Sequence, residues 1–252
     1  MLILKGIDKR FGAVSALSGI DLEVETGDVL GIIGPNGSGK TTLLNIVTGV
    51  YHPDAGRVYY EGIDITGWKS HRISNLGIRR TFQNVRLFPT MTVFQNVWVA
   101  QHSEKTSKLT SLLSPQSVTE RIDSSRIEQV LEKVNLLDFR NMLVKHLPLP
   151  LRRRLEIARV LISNAKLILF DEPAGGMTSK ETDEIAYLIN DIASSDCSCV
   201  VIEHKMALIK EVCNRVCVLN FGQKITEGGP EEILLDSRVR EAYLGEHEEI
   251  DA

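Results

Sequence analysis

Hydrophobic and polar residues alternate near the N-terminus, loosely over residues 2–7 and cleanly in Ile20-Asp21-Leu22-Glu23-Val24, which is the pattern of half-buried strands. Gly27-Asp28 marks a turn. Val29-Leu30-Gly31-Ile32-Ile33 is a continuous apolar run instead, and predicts a strand buried on both faces. A glycine-rich loop follows, then a helix over 41–48 that ends at Gly49, and an edge-type strand over 56–61. Residues 92–101 and 120–135 read as helices, separated by a Ser/Thr/Lys-rich stretch, 103–119, that reads as a surface loop. A third helix covers 152–163, with Leu155, Ala158 and Ile162 at helical spacing. From Lys166 the strand–helix alternation returns: strand 167–170, helix 179–193, strand 198–203 and a helix through 212. Two short strands, 216–220 and 224–227, flank Phe221-Gly222 like a hairpin, and Pro230 suits the first turn of a short helix. Buried strands alternating with helices imply an α/β sheet, and the mostly helical middle, about 86–155, reads as an insert. No internal repeat is visible.

Composition narrows the class. The 252 residues are 43% hydrophobic and 25% charged, the proportions of an ordinary globular chain, which excludes disordered and low-complexity readings. Length alone permits one large domain or two small ones. The formal charge of −4 weighs against non-specific binding to nucleic acid, which depends on neutralising phosphates. No apolar run approaches the ~18 residues of a membrane span. Lys5, Asp8, Lys9 and Arg10 within the first ten residues leave no visible secretory signal, so a cytosolic chain is expected. Cys197, Cys199, Cys213 and Cys217 lack the spacing of a zinc site and read as small buried thiols, with disulfides not expected.

The chemistry starts at Gly34-Pro35-Asn36-Gly37-Ser38-Gly39-Lys40-Thr41, which fits the phosphate-loop pattern and sits between a buried strand and a helix. Glycines let backbone N–H groups turn inward as an anion nest, the helix start adds its positive end, Lys40 can reach β- and γ-phosphates, and Thr41 can bind Mg²⁺. With Thr42, these eight residues form the expected nucleotide-binding set. Asp171-Glu172 ends the buried strand 167–170, where ligands bind in α/β sheets. Asp171 suits the Mg²⁺ side and Glu172 can polarise an attacking water; a solvated strand end is the bland alternative. Val200-Val201-Ile202-Glu203-His204 repeats the arrangement and brings His204 to the same edge. A lone histidine there is ordinarily a surface residue.

Together these pieces resemble the ATP-binding subunit of an ABC transporter over nearly the whole chain. In that resemblance Thr81-Phe82-Gln83-Asn84 looks like the Q-loop, with Gln83 sensing metal and water. Asp171 and Glu172 look like the Walker B aspartate and catalytic glutamate, and His204 like the switch histidine. Phe11 falls at the adenine-stacking aromatic, although taken alone it reads as a core aromatic. More specifically, Arg80-Thr81-Phe82-Gln83-Asn84-Val85-Arg86-Leu87-Phe88, Val99-Ala100-Gln101-His102, Leu155-Glu156-Ile157-Ala158-Arg159 and the tail from Ala242 through Tyr243-Leu244-Gly245 are similar to ATPases of branched-chain amino acid importers, with urea and lipopolysaccharide systems as near relatives.

The resemblance implies a P-loop NTPase (RecA-like) α/β core with an N-terminal antiparallel β subdomain and an inserted α-helical subdomain. The whole would be one domain, 1–252: core about 1–85 and 156–235, helical subdomain about 86–155, short C-terminal helices over 230–252. It implies ATP and Mg²⁺, with Thr41, Gln83 and Asp171 on the metal side. It also implies a head-to-tail dimer that sandwiches two ATPs beneath permease subunits on the cytoplasmic face of the membrane, as a peripheral protein, with an extracytoplasmic binding protein indirectly involved and no nucleic acid. Leu87, Phe88, Met91 and Phe94 are candidates for a groove that takes the permease, or else pack within the insert.

The chain departs from the family at the signature loop. Where Leu-Ser-Gly-Gly-Gln is usual it reads Leu147-Pro148-Leu149-Pro150-Leu151, so the serine, both glycines and the glutamine are absent. Leucine has no side-chain donor and proline removes a backbone one. The D-loop, Ala174-Gly175-Gly176-Met177-Thr178, ends in Thr rather than Asp or Asn. Elements acting on the chain's own ATP are therefore present and those offered to a partner's ATP are altered, which predicts an asymmetric heterodimer rather than a homodimer. A loop that still works, or a decayed copy, is the alternative. Arg152-Arg153-Arg154 reads as structural at a helix start. The competing functions are a nucleotide-binding regulatory module with little turnover and a soluble ATPase acting on DNA or ribosomes. The second usually carries two ATPase modules or a long coiled coil, and this chain has neither.

Overall fold

The alternating N-terminal pattern folds as two long antiparallel strands, β1 (Leu2–Phe11) and β2 (Val14–Val24), in the computed structural model, which describes residues 1–83, 85–102, 124–195 and 197–244. The apolar run is β3 (Val29–Ile33), buried at every position. The phosphate loop leads from it into α1 (Lys40–Val47), followed by β4 (Ala55–Tyr60), the two-residue β5 (Ile63–Asp64), α2 (Ser70–Asn75) and β6 (Ile78–Arg80).

The chain then enters a second unit, 81–165, which is described by itself. It contains α3 (Val93–His102), α4 (Ser124–Lys133) and α5 (Leu149–Leu161), with short 3-10 turns at Leu137–Phe139 and Val144–His146. Val93 and Val97 on α3, Ile127 and Leu131 on α4, and Leu155 and Ala158 on α5 are fully buried. The expected surface loop, 103–119, lies outside the described residues, as does the start of the helix expected from 120.

Back in the first unit come β7 (Leu167–Asp171), α6 (Ser179–Ala193), β8 (Ser198–Ile202), α7 (Met206–Val212), β9 (Arg215–Asn220), β10 (Gln223–Gly228), α8 (Pro230–Leu235) and α9 (Ser237–Leu244). Residues 245–252 of the expected C-terminal segment lie outside the described residues. The first unit holds an antiparallel sheet in the order β2-β1-β4-β5. It also holds a six-stranded sheet in the order β10-β9-β3-β8-β7-β6, parallel except for the β9–β10 hairpin. Leu30, Ile32, Leu167, Leu169, Val200 and Ile202 share a core with α1 and the antiparallel sheet. On the opposite face, a Cβ on Gly31 would meet Cys213 Sγ at 3.0 Å and Ile209 of α7 at 3.3 Å, so α7 packs directly on β3.

Three expectations need correction. The units divide at 80/81 and 165/166, not at 85/86 and 155/156, because β6 belongs to the sheet of the first unit and the whole of α5 to the second. The helix expected from Arg152 starts at Leu149 and contains Pro150, since a proline in the first turn gives up an N–H that has no intrahelical partner there. The strands expected over 2–7 and 20–24 are longer, the first running on to Phe11 and the second starting at Val14, because the two pair along their whole length. All four cysteines are buried free thiols, and burial pushes Cys213 and Cys217 up to about 12, so both stay neutral near pH 7.

Candidate nucleotide site

The parallel register aligns β3, β8 and β7: Ile32 pairs with Ile202, and Ile202 with Asp171. The segments after these three strands therefore leave the sheet along one edge. They are the phosphate loop, Glu203-His204 and Glu172, and this edge is where α/β sheets bind ligands.

The loop is shaped by glycine at two points of close approach. A Cβ on Gly34 would lie 2.0 Å from the Leu219 carbonyl oxygen, and one on Gly39 2.7 Å from that of Ala16. Gly37 and Gly39 have φ of +75° and +105°. The result is a cradle that side chains would fill, ending on a helix start where Gly39 supplies no side-chain cap and the first turn carries no acid. Such a nest suits a phosphate anion. Lys40 is 6% exposed, and its Nζ donates to the Gly34 and Pro35 carbonyls at 2.6 and 2.8 Å, so the ammonium already lies over the loop. Pro35 and Ser38 are buried, Asn36, Gly37 and Thr41 are exposed, and Thr42 is half-buried.

Asp171 is buried and paired with Arg80, whose Nη2 donates to its Oδ2 at 2.7 Å. The other arm of Arg80 donates to Asn45 Oδ1 on α1, also at 2.7 Å, so one guanidinium ties the end of β7 to the helix of the phosphate loop. Within the Arg80-Thr81-Phe82-Gln83 motif, sequence reasoning singled out only the glutamine. The oxygens of Thr41 and Asp171 are the hard donors that Mg²⁺ accepts, with one or two protein ligands completed by substrate phosphates.

His204 Nε2 lies 3.2 Å from Glu172 Oε1, and both side chains are partly exposed. His204 is thus an exposed residue, as a histidine at a strand end ordinarily is, and Glu172 beside it is half-buried. Phe11 is 44% exposed rather than a core residue. Its ring meets Tyr51 edge-on with centroids 5.2 Å apart, and Lys9 Nζ stands 5.5 Å above it. Tyr51, which sequence reasoning passed over, thus shares an aromatic platform with Phe11.

In the second unit, Gln83 is exposed and its segment is tied to α5. Arg153 Nη1 and Nη2 donate to the carbonyls of Phe82 and Gln83 at 2.9 and 2.6 Å, and the Phe82 N–H donates to Glu156 Oε1 at 3.0 Å. Burial pushes the Glu156 carboxyl above its usual range. Arg152 donates to the carbonyls of Leu147 and Lys145, so two of the three consecutive arginines hold backbone within the unit. Leu147 is buried, Pro148 is the N-cap of α5 without a side-chain cap, and Leu149 is exposed. Among the proposed groove residues, Phe88 is exposed beside Arg159, while Leu87, Met91 and Phe94 are partly buried.

Thr178 has a structural task. It is the N-cap of α6 in a capping box: its Oγ1 accepts from the Glu181 N–H, and Glu181 Oε2 accepts from the Thr178 N–H at 2.8 Å.

Comparison with known proteins gives consistent matches. The family described as "ABC transporter" matches residues 17–175, and the one described as "Branched-chain amino acid ATP-binding cassette transporter" matches 223–249. The high-affinity branched-chain amino acid transport ATP-binding protein BraF of Pseudomonas aeruginosa is 38% identical over 250 residues, covering 98% of each chain. The corresponding LivG protein of Escherichia coli K12 is 37% identical over 251 residues, again covering 98% of each. Among solved structures, a nucleotide-free ATP-binding cassette from an ABC transporter superposes with a TM-score of 0.86 at 34% identity, covering 98% of this chain and 99% of that one. The ADP conformation of an ATP-binding cassette of an ABC transporter gives 0.87 at 33% identity, with the same coverage.

Proposed function

This chain belongs to the ABC transporter family, and on that premise we propose that it is the ATP-hydrolysing subunit of an importer of branched-chain amino acids, one ATPase domain over 1–252. The observation that carries the reading is the shared sheet edge, where a phosphate loop stands with Glu172 and His204 3.2 Å apart. Full-length likeness to branched-chain amino acid transport proteins favours that cargo over urea or lipopolysaccharide.

Backbone N–H groups of Asn36 through Gly39 cradle the phosphates, with Gly34 and Pro35 shaping the loop and Thr41 and Thr42 at the helix start. Lys40 exchanges its carbonyl acceptors for β- and γ-phosphate oxygens. Phe11 stacks on the adenine. Mg²⁺ neutralises phosphate charge when bound, on the side of Thr41 and Asp171, with Gln83 as its sensor. Glu172 polarises the attacking water, and His204 holds Glu172 in place and reads the γ-phosphate.

Two such subunits sandwich two ATPs under a pair of permease subunits, as a peripheral assembly on the cytoplasmic face of the membrane. No helix among the described residues is long and apolar enough to cross it. The binding protein acts through the permease, and nucleic acid is not a partner. The α5 start supports an asymmetric heterodimer. Pro150 has no N–H, and Leu149 and Leu151 offer no side-chain donor where another subunit's γ-phosphate would dock.

The test is ATP binding and steady-state hydrolysis by the chain alone across concentration, beside a variant with Pro148→Ser, Leu149→Gly, Pro150→Gly and Leu151→Gln. We expect the native chain to bind ATP and the repaired one to turn it over at least about tenfold faster, as restored donors at a transferring phosphate should. Fast native hydrolysis with a steep concentration dependence would instead mean a working homodimer. The two prolines also favour a second reading, a nucleotide-binding regulatory module, and absent turnover in the repaired variant would point to it.

A further inference from the structure

Glu172 has φ of +49°, in the left-handed region that disfavours a residue with a side chain. Such a conformation persists only where the surroundings over-determine it. Its own N–H donates to the Ile202 carbonyl at 2.9 Å. Its carbonyl accepts from the Gly175 N–H at 3.1 Å, and the segment that follows is held in turn by the two residues that flank His204.

Glu203 is 2% exposed, and its carboxylate gathers three backbone N–H groups: Ala174 on Oε1 at 2.9 Å, and His204 and Lys205 on Oε2 at 2.8 and 3.2 Å. One side chain thus binds the segment after β7 to the segment after β8. Lys205 closes the arrangement at the far end. Its Nζ donates to the Met177 carbonyl at 2.6 Å and to Thr182 Oγ1 at 3.0 Å. Lys205 is also the N-cap residue of α7, where an ammonium offers no acceptor to the first turn and its charge opposes the helix dipole. The position gives up helix stability while its side chain holds the loop.

We propose that Glu203 and Lys205 are positioning residues that clamp residues 174–177 to the strand end bearing His204, and so hold Glu172 in its left-handed backbone within reach of His204. The proposal rests on the reading of Glu172 and His204 as the hydrolytic pair.

The test uses Glu203→Gln, Lys205→Met and Lys205→Arg, in the complex purified through a tag on this chain and in the chain alone. Glu203→Gln turns an amide N–H toward backbone N–H groups, and Lys205→Met keeps the stem without the charge. We expect kcat for ATP to fall about 10- to 100-fold in these two variants, the range expected when a reacting group is displaced by about an ångström. The KM for ATP and the Kd for a fluorescent ATP analogue should change less than about twofold, because the phosphate loop is untouched, and Lys205→Arg should restore most of the rate. Amide exchange in the chain alone gives the second readout: Lys205→Met should accelerate Glu172 and His204 as well as Met177. Retained kcat in both variants, or faster exchange confined to the neighbours of Met177 and Thr182, would overturn the clamp. If native chain and complex hydrolyse no ATP, the hydrolytic reading fails, and amide exchange still decides the clamp.

Discussion

Gly34 and Gly37 are both phosphate-loop glycines with positive φ, yet they are glycine for different reasons. At Gly34 a Cβ would overlap the Leu219 carbonyl oxygen at 2.0 Å, so an alanine must push β3 away from β9 inside the sheet. At Gly37 nothing lies within 4 Å, and only the φ of +75° argues against a side chain. Gly34→Ala should therefore cost more than about 3 kcal/mol and abolish nucleotide binding, as overpacking against backbone does. Gly37→Ala should cost only about 1–2 kcal/mol, the price of one left-handed residue. Urea denaturation of the two variants checks the order, and equal costs would mean that backbone conformation alone decides both positions. The glycine pattern itself is visible in the sequence, but this difference is not, because Leu219 is brought to Gly34 only by the pairing of β3 with β9. Arg80 was missed for the same reason, since its acceptors Asn45 and Asp171 lie 35 and 91 residues away.

Among the elements, the doubly buried β3 and the amphipathic α6 were the easiest to read, and both match their expected ranges residue for residue. Each combines an unbroken apolar or periodic pattern with a clear boundary, and for α6 that boundary is Thr178. The elements that went unread are β5, α2 and β6, with two, six and three residues. They are too short for a period to emerge, and β6 ends in Arg79-Arg80, which gives no sign of a strand. α5 starts three residues earlier than its apolar spacing suggests, because Pro148 and Pro150 look like breakers while the first turn of a helix tolerates them. The Thr178 position also changes what its departure from the family means. A threonine that caps α6 is a sound structural choice, so its contribution can be tested as a cap: Thr178→Ala should lower stability by about 1 kcal/mol. Thr178→Asn should stay within about 0.5 kcal/mol of native, because an amide can both accept from the Glu181 N–H and donate to its carboxylate. Denaturation midpoints separate the two. If Asn proves as costly as Ala, the hydroxyl is needed for something other than capping.

At the scale of the assembly, the question is which composite sites turn over. On the proposed reading, Lys40, Asp171, Glu172 and His204 serve the ATP that this chain itself holds, and Leu147 through Leu151 are what it offers to another subunit's ATP. Under the proposed asymmetry, all productive hydrolysis passes through Glu172, because the second site combines the partner's phosphate loop with a donor-poor α5 start. Two reciprocal substitutions in one complex test this. Glu172→Gln in this chain should reduce steady-state hydrolysis at least about 100-fold, the usual loss when a general base is removed. Changing the corresponding carboxylate of the partner should leave more than half of the rate. Binding is not expected to follow the same split, since both phosphate loops stay intact, and so both complexes should still retain two nucleotides. Equal losses from the two substitutions would mean that both sites fire and that the prolines of α5 are tolerated. A tagged chain that retrieves only copies of itself would remove the heterodimer altogether, and Leu147 through Leu151 would then have to serve as a working signature by backbone contacts alone.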